Sequence, residues 1–288
     1  MDRALWMTVI KSTRSLRGVP PRTRRPDYDD RLVLRLYLWS VLHDRPLCWA
    51  CRRTSYGRLF RPRRLPSISQ FCRRVAEKRF LKLLHLVHGR LTQVGVACSL
   101  WFFDGKALPV GPHSADPDAN SGYGAGRVGR GYRLHALATD DGRIREFRVT
   151  AMQNSEAAVS LRMARAIPRK VVVLADGAYD NRYLYRAVQR RGSHLLTQLR
   201  GHSRNPSRLR GMGHARREAL DAWSNHASHC RQAMVRRKQI ERIFGSLCSF
   251  GGGLAPLPAW VRRLTRVRRW VTAKLIIYHA RLNYRNAA

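Results

Sequence analysis

The sequence predicts a mixed α/β protein, a sheet flanked by helices, with an all-helical region at its N-terminus. Three observations predict it. Apolar residues recur at helical spacing through residues 28–91. Short apolar runs begin abruptly at residue 99, two of them ending in Asp. Beyond that point strand-like and helix-like segments alternate, which is the pattern of a sheet covered by helices.

Taken in order, residues 1–25 are basic, contain VPPRTRRP, and read as a flexible lead-in. Residues 28–45 predict a helix capped by Asp29 or Asp30. RLFRPRRLPS reads as a loop, and residues 67–91 as a second helix capped by Ser67 or Ser69. Two helices joined by a basic loop, with Arg73 and Arg74 early in the second, have the outline of a helix-turn-helix DNA reader. An ordinary helical packing domain fits the same pattern.

SLWFFDG (99–105) predicts a buried strand, and PVGPHSADPDANSGYGAGRVGRG (109–131) a long loop, its glycines marking mobility near Asp104. Residues 132–150 predict a hairpin turning at Asp140-Asp141-Gly142. Residues 154–167 predict a helix started by Asn154 or Ser155, with Glu156 in its first turn, where a carboxylate suits the helix dipole. VVVLAD (171–176) and SHLLTQLR (193–200) predict strands around a helix over 181–192 that Gly192 stops. Residues 201–230 are basic and weakly patterned. Residues 231–284 read as helical apart from a break over 249–258. The division expected is a basic helical region over 1–95 and a mixed α/β region over 96–288 with a basic insert at about 201–230.

The charge narrows the function. The chain has 288 residues, 56 Lys plus Arg against 18 Asp plus Glu, and a formal net charge of +38. That excess is far beyond what solubility requires and points to a polyanionic partner. The basic residues are mostly Arg, whose planar fork binds phosphate bidentately. No apolar run reaches the length of a membrane span, and MDRALWMTVIKSTRSLRG lacks the plan of a signal peptide. Six cysteines in this length read as reduced thiols rather than a disulfide scaffold, so a cytoplasmic location is expected.

Against that background three carboxylates stand out. Asp104 and Asp176 end the apolar runs SLWFFD and VVVLAD, so each projects from a rigid strand. Glu241 lies in RRKQIERIFGSL, where Ile240, Phe244 and Leu247 form a helical stripe for docking, and Arg237 falls on the same face one turn earlier. Converging carboxylates repel one another, and one or two Mg²⁺ relieve that repulsion. A pair of such ions stabilises both the entering and the leaving oxygen of a phosphodiester displacement. Aspartates at strand ends that serve structure alone remain the other reading of the spacing.

FFDGKAL, GYRLHALATDDGRI, VVVLADGAYDN and RRKQIERIFGSL, in this order, resemble the catalytic domain of bacterial insertion-sequence transposases of the DDE class. The resemblance runs from about Asp104 to Arg285 and implies a ribonuclease-H-like fold. It implies Asp104, Asp176 and Glu241 as catalytic metal ligands, with two Mg²⁺ (Mn²⁺ as a substitute). It also implies hydrolysis at element ends followed by strand transfer of the freed 3′-OH into target DNA. A homodimer on double-stranded DNA, in a bacterial cytoplasm at the nucleoid, follows from the same resemblance. Arg237 matches the arginine four residues before the glutamate, and Arg133, in the segment with His135, a cationic position on the second strand. Related signatures often carry a tyrosine three residues before that arginine and a lysine seven after the glutamate. Here those positions are Met234 and Cys248. Lys274, Arg262 or Arg263 are the candidates to replace the lysine. A cellular nuclease of the same fold, or a non-catalytic DNA-binding relic, are the alternatives.

Other candidates carry less. Cys48 and Cys51 form a CxxC, with only His43 and Cys72 near in sequence to complete a zinc site, and read as packed thiols. His226, His229 and Cys230 form a similarly loose group. Arg127 and Arg130 in the glycine-rich segment are candidate phosphate contacts. Trp260 and Trp270 lie among five arginines, where they suit either base stacking or core packing.

Overall fold

The computed structural model describes residues 3–20, 26–93, 98–111, 113–124, 126–198, 213–249 and 254–285. The chain forms two compact units, Met1–Val94 with Leu247–Ala288, and Gly95–Ser246. The last helix therefore belongs with the N-terminal helices, unlike the continuous 96–288 domain expected.

The first unit holds α1 (Arg3–Ser12), α2 (Asp30–Leu42), α3 (Ile68–Ala76), α4 (Lys78–Gln93) and α10 (Leu264–Arg285). The lead-in is thus partly helical: Leu5, Trp6 and Val9 give α1 a buried face, and Trp6 meets the Trp39 ring edge-on at 4.8 Å. The Asp29 side chain caps α2 by accepting from the Leu32 amide at 2.7 Å. Ser67 and Gln70 close a capping box on α3. The helix expected over 67–91 is two, α3 and α4, separated at Glu77. Asp30 locks them to α2 by receiving Arg74 at 2.6 Å and Arg79 at 2.8 Å. Residues 43–67 intervene between α2 and α3, so the short turn of a helix-turn-helix is not formed there. α10 packs on α1, α2 and α4 and is buried through most of its length.

The second unit carries a six-stranded mixed sheet, made of β1 (Leu100–Pro109), β2 (Asn120–Gly124), β3 (Arg127–Thr139), β4 (Ile144–Ala151), β5 (Val172–Ala175) and β6 (His194–Thr197). β1, β5 and β6 run parallel, and β3 runs antiparallel to β1. The far edge of β3 pairs first with β2 and then with β4. The hairpin over 132–150 forms as expected, with Gly142 at φ +84° in its turn. The glycine-rich segment expected as a mobile loop is instead the β2–β3 hairpin. A side chain at Gly131 would strike the Leu108 carbonyl, so glycine there permits the close β1–β3 approach.

Helices α5 (Glu156–Met163) and α6 (Arg182–Gln189) cover one face of this sheet. Trp101, Phe103, Val159, Met163, Val173, Leu184 and Val188 make the core between them. The insert, read as weakly patterned, contains α7 (His214–Asn225) and α8 (Ala227–Arg236), and its earlier part lies outside the described residues. Arg216 of α7 forms a bidentate pair with the fully buried Asp180 carboxylate, both contacts at 2.7 Å. α9 (Lys238–Ser249) carries the stripe read from the sequence, with Ile240, Phe244 and Leu247 buried.

Candidate active site

Strand register brings the two aspartates together. The β1–β5 ladder pairs Leu100 with Val172, Trp101 with Val173 and Phe102 with Leu174. Carrying the same offset two residues further sets Asp104 beside Asp176. In this way 72 residues of sequence separation become adjacency in a parallel sheet. Trp101 and Phe103 point into the core under α5 and α6, so strand alternation sends Phe102 and Asp104 to the other face. Asp176 follows β5 directly and accepts from the Ala178 amide at 2.8 Å, capping a short turn over Gly177–Tyr179.

A third carboxylate meets them from α5. Asp104, Glu156 and Asp176 each offer an oxygen, and these oxygens lie within 4.8 Å of one another. Among the described residues this is the one such grouping of three metal-binding side chains. Gly105 makes the approach possible: a Cβ at that position would sit 2.9 Å from the Glu156 carboxyl carbon. Arg133 on β3 holds Glu156 at 2.7 Å and also donates to the Tyr123 carbonyl. Glu156 was read from the sequence only as a helix-start residue. No local pattern marks it, because its role depends on where α5 begins over the sheet.

Glu241 is placed differently. Its side chain is 54% exposed and receives Arg237 at 2.9 Å, while the same guanidinium reaches Asp104 at 3.5 Å. Arg237 therefore sits between Glu241 and Asp104.

The electrostatics suit a cation. Burial pushes the Asp104 carboxyl up to about 7, and Asp176 and Glu156 add to that rise; the Gly105 amide and Arg237 oppose it. Glu156 is raised by burial and by Asp176, with Arg133 and Tyr179 pulling the other way. Tyr179 stacks on Phe103 at 5.8 Å. Its buried hydroxyl points toward Glu156 without reaching good hydrogen-bond geometry. Burial first, then Glu156, Asp104 and Asp176, hold that phenol well above its ordinary range. An all-oxygen set of close carboxylates, raised by burial and by one another despite Arg133 and Arg237, fits a hard divalent cation. His135, bonded to Thr150 at 2.9 Å, is lowered to about 4 by burial and by Arg133, so it stays neutral near pH 7.

The other candidate residues divide by their partners. Arg130 donates to the carbonyls of Ala119, Ser114 and Asp116, and so braces the 114–119 segment. Arg74 is committed to Asp30. Lys274 is 4% exposed, bonded to Asp44 at 2.6 Å and to the Val41 carbonyl at 3.0 Å. It is a core residue, so it does not replace the missing lysine as a DNA contact. Arg127 and Arg73 are exposed. The cysteines are free thiols, and Cys230 is buried with its thiol on the Ala222 carbonyl.

No curated protein and no solved structure matches the chain. The family model described as Transposase DDE domain matches residues 99–278, which takes in the whole sheet and all four carboxylates. The mixed sheet flanked by helices is the ribonuclease-H-like arrangement of such proteins. With well over half of its length matched, the chain belongs to the transposase DDE-domain family.

Proposed function

We propose that this transposase cuts DNA at the ends of an insertion sequence and transfers the freed 3′ ends to target DNA, using divalent metal held at Asp104 and Asp176. The observation that carries the reading is the clustering of Asp104, Asp176 and Glu156 in a chain of net charge +38. Glu156 completes the cation grip on the α5 side. Glu241, held by Arg237, is the catalytic glutamate on the α9 side. When bound, Mg²⁺ or Mn²⁺ supplies Lewis-acid stabilisation of the charge that develops at the scissile phosphate.

The protein's own residues do the rest. Backbone amides at Gly105 and Ala178 fix the Asp104 and Asp176 carboxylates. Arg133 sets the position of Glu156, and Arg237 keeps Glu241 next to Asp104. Exposed Arg127 and Arg73, with Arg236, Lys238 and Arg242 around α9, provide positive charge for the phosphate backbone. Joining two element ends calls for a homodimer on DNA at the nucleoid.

The test is cleavage of labelled duplex DNA carrying the sequence that flanks the gene, with wild type and Asp176→Ala compared in Mg²⁺ and in EDTA. Nicking that leaves a 3′-OH, lost in EDTA and in the variant, supports the reading. Salt-sensitive binding by both proteins, with no cleavage by either, replaces it with a DNA-binding relic.

A further inference from the structure

Away from the carboxylates, the first unit contains a second feature suited to DNA. A cavity of about 260 Å³ opens between α2, α3 and the start of α10. Tyr37, Trp260 and Trp270 give it aromatic walls, and Arg45, Arg266 and Arg269 give it positive charge. Among the described residues, no carboxylate lines it. We propose that this cavity receives one nucleobase displaced from the DNA stack, with the adjoining phosphate held by the arginines.

Size, wall chemistry and charge each support that occupant. Pockets for drug-sized ligands run from about 300 Å³ upward, so this volume suits a single ring system. Trp260 is 43% exposed, an unusual state for so large an apolar side chain, and lies where an incoming ring can stack on it. Trp270 and Tyr37 are buried behind it. Base–aromatic stacking with arginine close by is the usual way to hold an unpaired base.

Arg269 supplies the charge argument. It is only 9% exposed, and its hydrogen bonds go to the carbonyls of Thr265 and Val75 rather than to a carboxylate. Arg266, exposed at the rim, adds a second like charge. With Arg45, three guanidinium groups and no carboxylate among the described lining residues favour an anionic guest over an apolar peptide side chain. A nucleotide offers both the ring and the phosphate.

The inference rests on the reading of this protein as DNA-acting. Its test uses the full chain, a single-stranded oligonucleotide carrying 2-aminopurine, and the matched duplex. Wild type, Trp260→Ala, Trp260→Phe and Arg266→Ala are compared by fluorescence anisotropy and by 2-aminopurine emission. Trp260→Ala should weaken single-strand binding between about fivefold and a hundredfold, the range for one lost stacking partner. Duplex binding should change far less, and Trp260→Phe should retain most of the affinity. Arg266→Ala should weaken the single strand as well, which guards against a folding effect peculiar to Trp260. Unchanged single-strand affinity in both alanine variants overturns the base pocket and leaves the DNA reading intact. Equal loss on strand and duplex also overturns it, since that marks a backbone contact. Failure of the wild type to bind either DNA overturns both.

Discussion

Replacing Asp104 with Asn should stabilise the metal-free protein at neutral and higher pH. The Asp104 carboxyl has an ordinary value of 3.8 and stands at about 7 in the fold, with burial the main cause. Its side chain is 15% exposed, so solvent screens it little. At about 1.4 kcal/mol per unit, the penalty for holding it ionised is at most about 4 kcal/mol. That value is already net of the Arg237 attraction, so Asn, which keeps an acceptor for the Gly105 amide, should gain up to about 4 kcal/mol. A raised carboxyl pKa means that the folded state favours the protonated form. The penalty is therefore absent below pH 3.8, grows as pH rises from there to about 7, and is full above that. Urea unfolding in EDTA, at about pH 4 and about pH 8, reads the difference directly. The variant should match wild type at the acid end and exceed it at the alkaline end. Mg²⁺ should narrow the gap, because a ligand at about 100 times its Kd adds about 2.7 kcal/mol to the state that binds it. A variant no more stable than wild type at about pH 8 in EDTA, or a gap that does not change with pH, would refute the reasoning.

Four further outcomes are expected. Glu156→Gln, and Gly105→Ala acting through Glu156, should each weaken Mn²⁺ binding by about tenfold or more in calorimetry. Glu241→Gln should abolish cleavage with a smaller effect on that affinity; the opposite ordering would exchange the roles of the two glutamates. Lys274→Gln should cost about 1–3 kcal/mol in thermal unfolding, since it leaves Asp44 and the Val41 carbonyl without their shared donor, and half-exposed Asp44 limits the loss. The same variant should leave the salt dependence of DNA affinity unchanged. Arg127→Ala should keep the fold and reduce the slope of log affinity against log salt by about one, as expected for a single lost phosphate contact. A slope equal to that of wild type removes Arg127 from the DNA surface.

The sequence by itself determined the alternating α/β plan, the strand ends at Asp104 and Asp176, the docking stripe of α9 and the pairing of Arg237 with Glu241. These are local properties. Apolar runs, caps such as Asp29 and Ser67, and i,i+4 spacing act within a few residues and leave their mark on the chain. Helix α1, the insert helix α7 and the first turn of α8 are not legible in the sequence, because their helical character rests on packing of a few buried residues, not on strong periodicity. Only the tertiary structure decided that the β1–β5 register sets the aspartates side by side, or that Glu156 joins them through the space Gly105 leaves open. It also turned Lys274 inward to Asp44 and set Trp260 and Trp270 on one cavity with Tyr37. Each of these depends on residues far apart in the chain, and sequence spacing carries no information about which distant surfaces meet. The charge of +38 is legible in the composition; the gathering of Asp104, Glu156 and Asp176 into one corner of the sheet is not.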